Sequence, residues 1–207
     1  MNDMVVIIDY EMGNVSSIKN MLKKMGVACK ISRDADDIDK ATKLVLPGVG
    51  SFDKGMESLE KLGLVRLLDK AVLEDKKPIL GICLGMQMLC LSSEEGQKNG
   101  LGYIPLKVKK FIIPINSSFK IPHMGWRNVL GEQNNPITQF NKEEFRFYFV
   151  HSFYVPLSTK YTILSSDYIV KFSAAIQDEN VYGVQFHPEK SHKYGMKLLR
   201  NFIEVAV

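Results

Sequence analysis

The 207-residue sequence has no apolar run approaching the roughly 18 residues that a membrane-spanning helix requires. Its N-terminal apolar run, Met4 to Ile8, is too short for the core of a signal peptide, and no basic segment precedes it. We therefore expect a protein that does not enter a membrane and that resides in the cytoplasm.

Cysteine is scarce. The three cysteines, Cys29, Cys83 and Cys90, are odd in number and form no CxxC pair. A disulfide framework needs paired cysteines, and structural zinc usually needs closely spaced pairs of ligands. The pattern argues against both and favours a reducing compartment. We expect no metal site.

Charge of one sign is also limited. Lys and Arg number 27 against 23 Asp and Glu, and the basic residues are spread along the chain, which argues against nucleic-acid binding. There is no internal repeat, low-complexity segment, linker or nucleotide-binding loop. The length and ordinary composition predict a single domain over residues 1–207.

Three strand–helix alternations occupy the first half of the chain. Short apolar strands at residues 4–9, 43–46 and 78–83 are each followed by a turn and a helical pattern. This alternation predicts an α/β fold, a mostly parallel sheet flanked by helices. The second half contains short strand-like segments such as "FRFYFVHSFYV" and "VYGVQFHP", which predict added antiparallel strands, and "HKYGMKLLRNFIEV" predicts a closing helix.

One cysteine lies between two glycines in "GICLG" (residues 81–85), where a strand changes to a helix. A tight turn there would expose Cys83, in the manner of the G-x-S-x-G nucleophile elbow. The helix N-terminus would favour the thiolate, and the amide of Leu84 could donate to an oxyanion. An isolated pattern of this kind fits a buried core cysteine equally well. Cys29 and Cys90 fit that simpler interpretation, since they lie in strand-like and helical patterns without such a turn.

A thiol nucleophile needs a base, and the segment "YGVQFHPEKSH" provides one. His187 follows an apolar strand, and Glu189 comes two residues later. On extended backbone the two side chains would point the same way, so the carboxylate could orient the imidazole. By itself, H-P-E is more typical of a surface turn. Its occurrence together with the cysteine elbow favours a catalytic site.

"GICLGMQ" together with "VQFHPEKS" resembles the class I, or triad-type, glutamine amidotransferases, which release ammonia from glutamine. Further segments resemble the glutaminase subunit of imidazole glycerol phosphate synthase: "DYEMGN", "LPGVGSF", "SSEEG", "GLGYIPLKV", "IPHMGW" and "YFVHSFYV". These landmarks run from residue 9 to residue 191. The resemblance implies a flavodoxin-like α/β fold and glutamine hydrolysis without a metal or organic cofactor.

The resemblance also assigns roles. Cys83 would be the nucleophile, His187 the general acid/base and Glu189 the group that orients it. It implies that oxyanion stabilisation and glutamine binding fall to Val49, Gly50, Leu84, Gln87, Ser152 and Phe153.

Ammonia loses its nucleophilicity when protonated in water, so it must pass directly to an acceptor site. No acceptor-site motif is present in this chain, and the resemblance implies a partner, a (β/α)₈-barrel cyclase subunit that forms a heterodimer with it. That complex makes imidazole glycerol phosphate and AICAR in histidine biosynthesis. The partner interface would include Asn14, Met124, Trp126 and Lys190, with Trp126 in a loop. We assign His123 and His151 to structure or interface packing.

Three positions depart from the pattern. Glu11 stands where the family usually has Gly, and Phe153 where Tyr is common. His192, after "HPEKS", resembles instead a paralogous branch that supplies ammonia for amidination or amination of surface-polysaccharide sugars. That branch remains the alternative for the acceptor. A redox-sensing or peptidase-like cysteine protein and an idle scaffold are more remote alternatives.

Overall fold

A computed structural model describes residues 4–140 and 145–205 of the chain. The helices are α1 (Val15–Lys24), α2 (Ala35–Lys40), α3 (Phe52–Lys61), α4 (Leu64–Asp69), α5 (Leu84–Met88) and α6 (His192–Glu204). The strands are β1 (Met4–Ile8), β2 (Ala28–Ser32), β3 (Lys43–Gly48), β4 (Ile79–Cys83), β5 (Cys90–Ser93), β6 (Ile104–Lys110), β7 (His123–Asn128), β8 (Leu130–Gly131), β9 (Arg146–His151), β10 (Phe153–Pro156), β11 (Thr162–Asp167), β12 (Lys171–Asp178) and β13 (Val181–Val184).

The predicted parallel sheet is confirmed. Strands β2, β1, β3, β4 and β13 lie side by side, and all pair in parallel. Strands β1, β3 and β4 are almost wholly buried because apolar side chains cover both faces of the sheet. This is the reason that these strands appear in the sequence as continuous branched-aliphatic runs rather than as alternating patterns. No helix within the described ranges is long and apolar enough to cross a membrane.

The antiparallel extension is also present, although not every second-half strand belongs to it. From β13 the sheet continues through β12, β10 and β6, each antiparallel to the strand before it, and β11 pairs antiparallel with β12. Strand β13, expected among the antiparallel strands, pairs in parallel with β4 and so completes the parallel core. Strand β5 is parallel to β6. Strands β7 and β9 form a separate antiparallel pair.

Two local assignments from the sequence are wrong. Cys90, assigned to a helical pattern, begins β5, because α5 ends at Met88 and the amide of Ile104 donates to the carbonyl of Leu89 (3.0 Å). Pairing with a neighbouring strand therefore replaces helical hydrogen bonds. Trp126, expected in a loop, lies within β7 opposite Tyr148.

The carboxyl ends of three neighbouring parallel strands define one edge of the sheet. Strand β3 ends at Gly48, which pairs with Cys83 at the end of β4, and His187 follows β13 on the other side of β4. In open α/β sheets this edge is where ligands bind. The fold thus brings together the "PGVG" segment (residues 47–50), the cysteine elbow and the H-P-E segment.

Candidate active site

The backbone of Cys83 has φ 55° and ψ −110°, a region that residues with a Cβ seldom occupy. The strand ends there and α5 begins at the next residue. Close approach of β3 requires glycine at position 85, because a Cβ on Gly85 would lie 1.9 Å from the carbonyl oxygen of Leu46. This is the geometry of a nucleophile elbow. Helix α5 spans only five residues, so its macrodipole is small and neighbouring side chains matter more to the sulfur.

His187 and Glu189 form a buried pair. The Nδ1 atom of His187 lies 2.8 Å from Oε1 of Glu189, and both side chains are almost fully shielded from solvent. The expected contact is therefore present, but residues 188–190 form a 3₁₀ turn rather than extended backbone. The carboxylate fixes the proton on Nδ1, which leaves Nε2 for chemistry. Nε2 has no hydrogen-bond partner within the described part of the chain.

The pKa of His187 reflects two opposing influences. Burial, the largest influence, lowers it, but the nearby Cys83 sulfur and the hydrogen-bonded Glu189 carboxylate together outweigh burial and raise the pKa to about 9. At neutral pH the imidazole is therefore protonated when Cys83 is a thiolate. The sulfur itself lies 3.8 Å from the carbonyl oxygen of Val150 and 3.8 Å from Nε2 of Gln185.

A cavity of about 290 Å³ opens over the cysteine. Its size is close to the lower end of small-molecule sites. All the predicted oxyanion and substrate residues line it together with Cys83 and His187: Val49, Gly50, Leu84, Gln87, Ser152 and Phe153. The cavity wall also contains Glu95, Pro122, Val150, His151 and Lys190.

The predicted interface residues lie outside the cavity, except Lys190. Met124 and Trp126 project from β7 with 61% and 38% of their surface exposed, and Asn14 precedes α1. The Trp126 ring is parallel to that of His192 at 5.8 Å between centroids. His192, one of the departures from the family pattern, therefore contacts the exposed tryptophan.

The other two departures are accommodated locally. Glu11 adopts φ 67°, the conformation that glycine would favour. Its amide donates to Asp9, and Arg33 pairs with its carboxylate at 2.9 Å. Phe153 contributes its carbonyl, which accepts a hydrogen bond from Gln87 Nε2 at 3.1 Å.

Two residues of the site were missed from the sequence, Glu95 in the cavity wall and Tyr10 beside the "PGVG" segment. The buried hydroxyl of Tyr10 donates to the carbonyl of Pro47 at 2.6 Å and so anchors the start of the "PGVG" segment. Burial, then the charge of Cys83, raises the pKa of Tyr10 well above its usual range. Glu95 accepts a hydrogen bond from the amide of Phe52, and burial raises its pKa. The "SSEEG" landmark was the available signal for Glu95, and the "DYEMGN" landmark was the signal for Tyr10.

Comparison with known proteins agrees with this geometry. The family profile described as "Glutamine amidotransferase class-I" matches residues 6–206. The chain belongs to the class I glutamine amidotransferases.

Close relatives are full-length matches. A protein of Methanococcus maripaludis named "Imidazole glycerol phosphate synthase subunit HisH 2" is 54% identical, with 98% of this chain and 100% of the relative covered. A Pseudomonas aeruginosa protein of the same name is 49% identical, with the same coverage of both chains. Among solved structures, "Structure of PurLQS from Thermotoga maritima" aligns with a TM-score of 0.74 at 22% identity, covering 98% of each chain. This last similarity shows a shared fold.

The raised pKa of His187 predicts a pH-dependent contribution to stability. Unfolded histidine titrates near 6.5 and the folded residue near 9, so the contribution is complete below about pH 6.5 and is lost as the pH rises through about 9. Glu189→Gln removes one cause of the shift and should lower the pKa of His187 in an NMR titration. Glu57→Gln, which removes a carboxylate from the exposed surface of α3, should leave it unchanged. Equal titration of His187 in native protein and Glu189→Gln would contradict the assigned role of the carboxylate.

Proposed function

We propose that this chain is the glutaminase subunit of imidazole glycerol phosphate synthase and hydrolyses glutamine to glutamate and ammonia through Cys83, His187 and Glu189. The observation that carries the proposal is the elbow at Cys83, which shares one cavity with the buried His187–Glu189 pair. The names of both close relatives support the same assignment.

The first half-reaction forms a thioester. The Cys83 thiolate attacks the side-chain amide carbon of glutamine, and the carbonyl oxygen becomes a tetrahedral oxyanion. We assign its stabilisation to the amides of Val49 and Leu84; one such donor contributes roughly 2.7–4 kcal/mol in comparable sites. Protonated His187 gives its Nε2 proton to the leaving nitrogen. Ammonia departs, and a γ-glutamyl thioester remains.

The second half-reaction regenerates the enzyme. His187, now neutral, removes a proton from water, and the resulting hydroxide attacks the thioester carbon. The intermediate collapses, glutamate leaves, and the sulfur returns as a thiolate next to protonated His187. Glu189 keeps the proton on Nδ1 throughout, so that Nε2 alone exchanges protons.

The cavity wall suits the α-amino acid part of glutamine. Glu95 is the one carboxylate among the described residues that line the cavity, and it would pair with the α-ammonium group of glutamine. Ser152 and Phe153 would hold the substrate backbone. Gln87 would contact the side-chain amide of the substrate, and its own Nε2 donates to the carbonyl of Phe153 and to Gln185. Only its Oε1 is left for the substrate amide.

The partner would be a (β/α)₈-barrel cyclase, which receives ammonia and makes imidazole glycerol phosphate and AICAR in a cytoplasmic heterodimer. Asn14, Met124, Trp126 and Lys190 would contact it. The relatives' names favour this acceptor over a surface-polysaccharide sugar. We also propose that residues 1–207 form one amidotransferase domain, which is supported by the single family match over residues 6–206.

Glutamate release tests the proposal. The chain mixed with the cyclase subunit from the same genome should release glutamate slowly and be strongly stimulated by the cyclase's ribosylated aminoimidazole carboxamide substrate. Cys83→Ala should reduce the rate by roughly a thousandfold or more, whereas Cys29→Ala, outside the cavity, should match native protein. Near-native release by Cys83→Ala would exclude this nucleophile. Glutamate release that this substrate does not stimulate would favour a surface-polysaccharide sugar as the ammonia acceptor.

The exposed tryptophan gives a test of the interface. An aromatic hot spot contributes roughly 2 kcal/mol or more, so Trp126→Ala should weaken partner binding about thirtyfold in calorimetry. Leu73→Ala serves as the control. Leu73 is also exposed, but it lies in the π-helical segment Lys70–Glu74, which precedes the opposite, amino-terminal end of β4. Equal affinities for the two variants would place the interface elsewhere.

A further inference from the structure

A series of buried, hydrogen-bonded groups borders the cavity and ends at the sulfur of Cys83. Gln185 lies two residues before His187 and is completely buried. Its backbone amide donates to the carbonyl of Ala174 in β12 at 2.9 Å, which fixes the residue against the sheet. Its side-chain Nε2 lies 3.8 Å from Sγ of Cys83. None of the roles derived above uses this amide.

The orientation of the Gln185 amide follows from its neighbours. A backbone carbonyl can only accept, so the group of Gln87 that faces the Phe153 oxygen must be its amino group. The same amino group lies 2.9 Å from Gln185, which must therefore present its Oε1 there. The amino group of Gln185 is consequently directed to Cys83. Reversing Gln185 would set two amino groups against each other.

Two histidines also help to hold the carbonyl of Phe153. The Nδ1 atom of His151 lies 2.7 Å from the Phe153 oxygen and must carry a proton. Burial lowers the pKa of His151 to about 3 and that of His123 to about 4, so both rings are neutral at pH 7. Nε2 of His151 is then an acceptor and receives Nδ1–H of His123 at 2.9 Å. The Phe153 carbonyl is thereby held by His151 and Gln87 together.

We propose that Gln185 is a positioning residue for Cys83: its amide donates to the thiolate and directs the sulfur toward the substrate, and Gln87, Phe153, His151 and His123 hold that amide in orientation. The inference rests on the proposed function of Cys83 and adds to it a donor built into the protein. A hydrogen bond from a neutral amide stabilises a thiolate more than a thiol. His123 lies on β7 beside exposed Met124, so this series of hydrogen bonds also extends to the proposed partner surface.

Alkylation of Cys83 by iodoacetamide between pH 5 and 10, located by peptide mass mapping, tests this directly. Gln185→Met keeps the shape of the side chain and removes the donor. Its alkylation at pH 7 should fall about tenfold, with the midpoint about one pH unit higher and the limiting rate at high pH preserved. Gln185→Glu should reduce the rate at pH 7 further. Gln139→Glu, the same change at an exposed site, should match native protein.

These variants leave the other titratable residues around the sulfur in place: His187, Tyr10, His151, Glu95 and Lys190. A native pH profile in Gln185→Met would overturn the proposal. Alkylation does not require glutamine turnover, so failure of the proposed glutaminase activity and failure of this inference are distinguishable.

NMR of the native chain gives a second test that does not depend on the variants folding. The side-chain amide nitrogen of Gln185 should titrate with the same midpoint as alkylation, and this transition should be absent in Cys83→Ala. Both His123 and His151 should appear as neutral rings protonated on Nδ1. A silent Gln185 amide, or Nε2 protonation of His151, would contradict the chain of donors.

Discussion

The left-handed backbone of Cys83 is the constraint on which the site depends. A non-glycine residue keeps such a conformation only when its surroundings determine it. Here β4 is held between β3 and β13, and α5 starts at once because glycine at position 85 allows β3 to approach. The turn sets the sulfur at the carboxyl edge of the sheet, where β3 and β13 also end and the loops after them begin.

Each neighbouring strand then contributes one chemical function to that edge. The loop after β3 contributes the "PGVG" segment, whose first carbonyl is tied down by Tyr10. The segment after β13 contributes the acid/base pair, in a 3₁₀ turn that brings the carboxylate of Glu189 to Nδ1 of His187. The same segment contributes Gln185 on its buried side. A short stretch of chain thus supplies both the proton-transfer group and the proposed donor that orients the nucleophile.

Sequence reasoning succeeded where local rules and tertiary structure coincide. The elbow at Cys83 and the pairing of His187 with Glu189 depend on residues close in the chain, and both were predicted. Cys90 was misassigned because pairing with β6 overrides its helical pattern. The periodicity of a short apolar run carries no information about a strand that lies far away in the sequence. Gln185 was missed for a related reason. Its significance lies in contacts with Gln87 and Cys83, about a hundred positions earlier in the chain.

The central claim is that Cys83, and no other cysteine, attacks the side-chain amide carbon of glutamine. Incubation with an electrophilic glutamine analogue, followed by intact-mass measurement and peptide mapping, tests it most directly. The account predicts one adduct per chain, located on Cys83, with excess glutamine slowing its formation. An adduct on Cys29 or Cys90, or labelling of Cys83 that glutamine does not slow, would contradict it.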